Sequence, residues 1–390
     1  MSYSNAPWPL YEEDEIAAVE TVLRSGKVNY WTGSIAREFE KAYAEYVGVP
    51  HAIAVANGTV ALDLAWKALG IGVGDEVVVT ARTFLASVSS IVLAGATPVF
   101  ADIDPDSQNI TPETVRAVLT PRTRAILCVH LAGWPCDMDG MRMLADAHGL
   151  RLVEDCAQAH GARYRGQAVG SIGDIGAFSF CQDKIMSTGG EGGLVTCRDP
   201  ELWSRMWSFK DHGKSFDAVY HREHAPGFRW LHESFGTNWR ITEMQAAIGL
   251  RQLAKLDDWV SRRRANAEAL FHELSGLDAL RTPQPPSDLY HAAYRAYAFV
   301  RPEALKPDWS RDRIMQAIAA AGVPCMSGSC SEVYREKAFD GTGWRPAQPL
   351  PVAHELGETS LAFLVHHTLS PADLRQVGRI AHDIILNATR

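Results

Sequence analysis

A mostly parallel α/β sheet of about seven strands set between helices, followed by a smaller C-terminal α+β unit, is the fold class this chain predicts. Three observations carry it. Short apolar runs alternate with helix-patterned segments from residue 52 to residue 197, the rhythm of βα units with short connections. Several of those runs are continuously apolar, as in strands covered on both faces. Beyond a capping box at Thr242 and Gln245, the rhythm gives way to one long helix and a looser mixture. The length, 390 residues, exceeds one ordinary compact core and fits a large and a small domain. The division is placed inside the long helix, giving 1–257 and 258–390.

Taken in order, Glu12 to Ser25 has helical spacing with Ile16, Val19 and Leu23 on one side, and Ile35 to Val47 forms a second helix. Ala52 to Ala56 is a buried strand. Asn57-Gly58-Thr59 then turns into a helix whose stripe includes Leu62, Ala65 and Leu69. Strands at Glu76 to Thr80, Thr97 to Ile103 and Arg124 to His130 alternate with helices. These run from Phe84 to Leu93, from a Thr111 cap with Pro112 in the first turn, and from Met138 to His148. The segment Pro200 to Phe235 lacks clear periodicity and reads as an irregular excursion over a cleft or a subunit surface. In the long helix, Leu253, Leu256 and Val260 share a face, with Leu270 and Leu274 further on. A Pro-rich piece, Arg281 to Asp288, leads to a strand at Ala296 to Val300 and a helix from about Arg311 to Ala321. The last helix is capped by Ser370 with Pro371 in its first turn.

Composition excludes several classes. Hydrophobic residues at 46% and charged residues at 22% describe a globular protein, and a net charge of −8 without a basic stripe argues against nucleic-acid binding. No apolar stretch is long enough to span a bilayer, and the acidic N-terminus is unlike a signal peptide. The seven cysteines contain no Cys-x-x-Cys pair, which fits reduced thiols in a cytoplasmic protein better than a disulfide framework or a zinc site. His366-His367 has no further ligands at metal spacing, so no metal is expected. Gly70-x-Gly72-x-Gly74 precedes a strand instead of following one, and there is no Walker A sequence, so NAD and ATP chemistry are disfavoured.

The chemistry concentrates between Arg151 and Cys197. Asp155 and Gln158 follow one apolar run, Leu152-Val153. Lys184 follows another, Ile175 to Phe180, and a Gly-rich turn comes next. An acid and an amine thus fall just past the ends of two strands, where open α/β sheets hold ligands. Lysine and aspartate in one crevice suggest pyridoxal phosphate, with the amine on the cofactor aldehyde and the acid on the pyridine nitrogen. The alternative is a solvated loop lysine and a turn aspartate. The small turn at Gly58 and Thr59 opens a helix, which makes it either an anion site or an ordinary cap. Phe84 follows a strand and lies over a planar ring or in the core.

Asn57-Gly58-Thr59, Thr83-Phe84, Glu154 to Gly161, Phe178-Ser179-Phe180 with Lys184, Thr188 to Gly193, and Asn238 to Ala247 together resemble the DegT/StrS sugar aminotransferases. The resemblance covers nearly the whole chain in order. It implies the aspartate-aminotransferase fold (PLP fold type I) and a pyridoxal 5'-phosphate cofactor, with pyridoxamine 5'-phosphate between the half-reactions. By the same resemblance Lys184 is the Schiff-base lysine and proton carrier, and Asp155 pairs with the pyridine nitrogen. Gln158 lies near the phenolic oxygen, and Phe84 stacks on the ring. Gly58, Thr59 and Ser179 hold the phosphate, and Asn238 reaches the cofactor of the neighbouring subunit in a homodimer. L-glutamate is the implied donor and a nucleotide-linked keto-sugar the acceptor. Asn29, Tyr30, Trp31 and His212 are the candidate substrate contacts, with core packing as the alternative for the aromatics. Two features depart from the common family pattern: the doubled Gly189-Gly190, and Cys181-Gln182-Asp183 before the lysine. A sugar dehydratase or deoxygenase, a cyclitol or aminobenzoate aminotransferase, and a non-catalytic sensor of the same fold are the alternatives.

Overall fold

The computed structural model describes residues 7–390. The expected strands form a seven-stranded sheet from β1 (His51–Val55), β2 (Glu76–Thr80), β3 (Thr97–Ala101), β4 (Thr123–Val129), β5 (Arg151–Asp155), β6 (Ile175–Ser179) and β7 (Gly193–Cys197). The spatial order is β1-β7-β6-β5-β4-β2-β3. Only β7 runs against its neighbours, pairing antiparallel with both β1 and β6. Strands β2, β5, β6 and β7 are buried along their length apart from Arg151, which is why they read as continuous apolar runs. Asp155 sits level with Ala177 of β6, so the last residues of β5 and β6 meet at one edge of the sheet.

The helices α1 (Glu13–Ser25), α2 (Ile35–Val47), α3 (Gly58–Leu69), α4 (Leu85–Leu93), α5 (Pro112–Arg116) and α6 (Met138–His148) cover the sheet or border it. Helix α1 corrects the sequence reading of its apolar side. Ile16 and Leu23 are 50% and 55% exposed, whereas Glu15 and Val22 are buried. The cause is electrostatic. Lys255 reaches Glu12, Asp14 and Glu15 at 2.8, 2.7 and 3.4 Å, and this docks the acidic side of the helix inward.

A second correction concerns residues 200–235. This stretch opens with a regular helix, α7 (Pro200–Lys210), and contains the short α8 (Phe216–Tyr220). Asp199 caps α7 through the N–H groups of Glu201 and Leu202, and Pro200 occupies the first turn. That Asp-Pro start signal is present in the sequence. It is masked by the buried face of α7, where Leu202, Met206 and Trp207 share the space with a charged Lys210.

Helix α9 (Glu243–Glu273) starts with the predicted capping box and runs unbroken for 31 residues. Ala246 and Leu256 pack with the α2 side of the large sheet, while Ala267 and Leu270 belong to a separate core. We propose the domain division between these two sets, near residue 257. The second core lies on a four-stranded sheet of β8 (Leu280–Arg281), β9 (Ala296–Val300), β10 (Cys325–Met326) and β11 (Ser360–Phe363), ordered β8-β9-β11-β10. It is flanked by α10 (Arg311–Ala320), α11 (Pro351–Thr359) and α12 (Pro371–Ala388). Among the described residues no helix is long and apolar enough to cross a membrane.

Candidate active site

A cavity of about 520 Å³ opens where β5 and β6 end and α3 and α4 begin. Gly58, Thr59, Phe84, Asp155, Gln158, Ser179 and Lys184 all line it. The parallel sheet brings them together, because six strands running one way place their connecting turns on one edge.

Asp155 is the last residue of β5 and is buried. One carboxylate oxygen accepts from the Ala157 N–H at 3.1 Å and the other from the Ser87 hydroxyl at 2.8 Å. Burial pushes its pKa above the usual carboxylate value, against those two hydrogen bonds and the Lys184 charge. A carboxylate penalised in this way gains most from a cation beside it. The preceding residue, Glu154, points to the other face of the strand. There it accepts from the Gly170, Ile172 and Gly173 N–H groups at 2.8, 2.9 and 2.6 Å and faces His130 at 3.0 Å. Glu154 is a structural anchor and does not line the cavity.

Lys184 follows β6 by five residues and is largely enclosed. Its Nζ lies 3.6 Å from the Asp183 carboxylate and 5.4 Å from the centre of the Tyr294 ring. The Tyr294 hydroxyl donates to Asp183. Burial raises the Asp183 pKa, but Lys184, Tyr294 and Arg295 outweigh it and the net shift is downward. Gln158 is fixed through its Oε1, which accepts the Ala132 N–H at 2.8 Å, leaving its NH₂ free to donate. Behind the floor, the His160 Nε2–H donates to the Ser179 carbonyl at 2.8 Å, so Nδ1 accepts from the Tyr43 hydroxyl at 2.7 Å. Burial drives this ring's pKa down to about 4 and keeps it neutral.

The turn into α3 is built for an anion. The Asn57 side chain accepts from Val60 at 3.0 Å and its carbonyl from Ala61 at 3.2 Å. The Gly58 and Thr59 N–H groups have no acceptor among the described residues, as expected of the first helical positions. A Cβ on Gly58 would lie 2.5 Å from the Ser179 Cβ. Gly58→Ala is therefore expected to displace this turn, costing about 1–3 kcal/mol. Cofactor retention on dialysis and thermal melting check this, and both should fall.

The five remaining sequence candidates lie outside the cavity of their own chain. Asn238 is held in a backbone bridge with Asp211. Trp31 stacks on Tyr220 with the Lys214 amine 4.1 Å over its ring, and Asn29 accepts from the Trp31 N–H. His212 has a left-handed backbone, φ +59°, and its N–H donates to the Thr237 carbonyl. Tyr30 requires correction as a substrate contact. It is 1% exposed, its hydroxyl donates to the buried Glu40 at 3.1 Å, and the Lys210 amine lies 3.7 Å over its ring. The helical packing of α2 and α7 around it claims this side chain for the core. Sequence reading missed Ser87, Asp183 and Tyr294. Ser87 stands four residues beyond Thr83, a helical spacing that places it under Asp155, but nothing in the sequence announces the pairing.

An amine and a buried acid at the strand ends of such a sheet form a candidate site for chemistry on amines, and comparison with known proteins identifies the class. The chain belongs to the DegT/DnrJ/EryC1/StrS aminotransferase family, whose model matches residues 9–381. It is an aminotransferase. A crystal structure of the aminotransferase from Psychrobacter cryohalolentis is 56% identical, with a TM-score of 0.97 over 98% of this chain and 99% of that one. The dTDP-3-amino-3,4,6-trideoxy-alpha-D-glucose transaminase of Streptomyces venezuelae is 37% identical over 95% of this chain and 93% of its own. The L-glutamine:2-deoxy-scyllo-inosose aminotransferase of Streptomyces fradiae is 40% identical over 80% of this chain and 76% of its own.

Proposed function

We propose that this chain is a pyridoxal-phosphate-dependent aminotransferase that moves an amino group from L-glutamate to a nucleotide-linked keto-sugar. The observation that carries the reading is the shared cavity of Lys184 and Asp155, with an anion-accepting helix end beside them. The residues fit the cofactor on three counts. The raised Asp155 carboxylate calls for a cationic partner, which a protonated pyridine nitrogen supplies. The free N–H groups of Gly58 and Thr59, with Ser179 alongside, suit its phosphate. Phe84, 71% exposed at the cavity rim, offers a flat apolar face.

Bound there, the cofactor supplies an aldehyde that takes up amines and a ring that accepts an electron pair. The protein's part is positional. Asp155 holds a proton on the ring nitrogen, and Gln158 directs its free NH₂ across the cavity. Lys184 Nζ would hold the cofactor through its aldehyde and would carry the proton taken from the donor's α-carbon. Asn238, which lies outside its own cavity, completes the site of a partner subunit in a homodimer. The exposed Trp230 and Phe235 support an interface that covers apolar surface.

The relative from S. venezuelae supports a nucleotide-sugar acceptor. The relative from S. fradiae favours a second reading, a cyclitol ketone with glutamine as donor. Incubating the cofactor-loaded protein with glutamate or glutamine and either a dTDP-keto-sugar or a keto-cyclitol separates them. A stable amino-sugar nucleotide is expected. An aminocyclitol alone selects the second reading, and dehydration without amine transfer refutes both.

A further inference from the structure

We infer that Arg295 receives an anionic group of the substrate, either a carboxylate of the amino donor or a phosphate of the acceptor. This rests on the aminotransferase reading above and supplies a cation that the cavity lacks. Among the side chains lining the cavity, Lys184 is the single cation, against Asp155, Asp183 and Glu191. In that reading Lys184 is taken by the cofactor, and the N–H groups of Gly58 and Thr59 by its phosphate. Glutamate and a nucleoside diphosphate each bring negative charge to a pocket that already has an excess of it. Like charges at close range inside a protein repel far more strongly than in water. A cation is needed at the substrate's end of the cavity.

Arg295 stands where such a cation is wanted. It directly precedes β9, and its guanidinium carbon lies 5.0 Å from the centre of the Tyr294 ring. The Lys184 amine lies 5.4 Å from the same ring centre, and the Tyr294 hydroxyl donates to Asp183 on the cavity wall. One tyrosine therefore has the proposed reacting amine and this guanidinium as neighbours. Among the described residues Arg295 forms no ion pair. Its Nη1 faces only the thioether of Met326, 3.7 Å away and a weak acceptor. Its fork-shaped set of donors matches a carboxylate or phosphate.

Arg295 is not in the lining of the active-site cavity itself; it lines a neighbouring cavity of about 230 Å³, which includes Ala132, the residue whose N–H fixes Gln158. Arg264 lines this second cavity too, but its guanidinium lies 4.1 Å over the Tyr290 ring and donates to the His291 carbonyl at 3.3 Å. Both guanidinium groups lie over a tyrosine ring, but Arg264 spends a donor on a backbone carbonyl where Arg295 meets only a thioether, which makes Arg264 the natural control.

The test titrates cofactor-loaded protein with glutarate and, separately, with dTDP, by calorimetry. Wild type, Arg295→Met, Arg295→Lys and Arg264→Met are compared at equal cofactor content. Arg295→Met should weaken one of the two probes by about 10–100-fold, the loss of one charge-assisted contact. Arg295→Lys should recover part of that affinity, and Arg264→Met should leave it within about twofold. A loss confined to glutarate identifies a donor carboxylate, and a loss confined to dTDP identifies the diphosphate. Unchanged affinity for both probes in Arg295→Met overturns the assignment, as does equal weakening by Arg264→Met. A wild type that transaminates but binds neither probe overturns it too. A wild type that does not transaminate at all defeats the underlying functional reading instead.

Discussion

Lys184→Ala is expected to lower turnover by at least about 10⁴-fold, the upper end for a positioned proton carrier, because the covalent anchor is lost with it. The side chain is largely enclosed between Asp183 and Tyr294, and no other lysine lines the cavity. Truncation removes its hydrophobic stem and one ion pair with a half-exposed carboxylate, so the fold should persist. Rates with keto-sugar and glutamate measure the first effect, and circular dichroism the second. Borohydride treatment of wild type should fix the cofactor on Lys184. A label on another lysine, or normal turnover by the variant, would remove the mechanism.

Asp155→Asn should lower turnover by about 10²–10⁴-fold while leaving the protein folded. The replacement amide can still accept from the Ala157 N–H and donate to the Ser87 oxygen, so both partners remain satisfied. What disappears is the charge that, in the proposed reading, would keep the cofactor's ring nitrogen protonated. A stability signature accompanies this. Burial raises the Asp155 pKa in the folded protein above its unfolded value of 3.8. The folded state therefore binds more protons than the unfolded state in that window, and stability falls as pH rises through it. In cofactor-free protein, urea midpoints of wild type should drop relative to Asp155→Asn as the pH is raised above about 4. A variant that shows the same slope as wild type would mean that Asp155 is not penalised by burial.

Much of the large sheet was legible because its strands are short, apolar on both faces, and separated by turns of Gly, Asp and Asn. Helix α9 and the last helix announced themselves through Thr242 with Gln245 and through Ser370 with Pro371. Helix α1 was misjudged on its face because a local apolar stripe was outweighed by Lys255, more than two hundred residues away. Helix α7 was overlooked because its buried side carries a lysine and a tryptophan in place of a clean apolar repeat. The same packing hid the fate of Tyr30, whose hydroxyl is spent on Glu40.

The sequence by itself determined the family, the alternation that makes the sheet, and the pairing of one amine with one acid past neighbouring strand ends. Those follow from local patterns and a motif set that spans the chain. Only the tertiary structure decided which carboxylate of Glu154-Asp155 faces the cavity, that Ser87 and Ala157 hold it, and that Tyr294, just ahead of β9, comes to lie beside Lys184. The reason is physical: strand direction, the two-residue alternation of side chains and contacts across long sequence separations are fixed by packing, and local spacing carries no record of them.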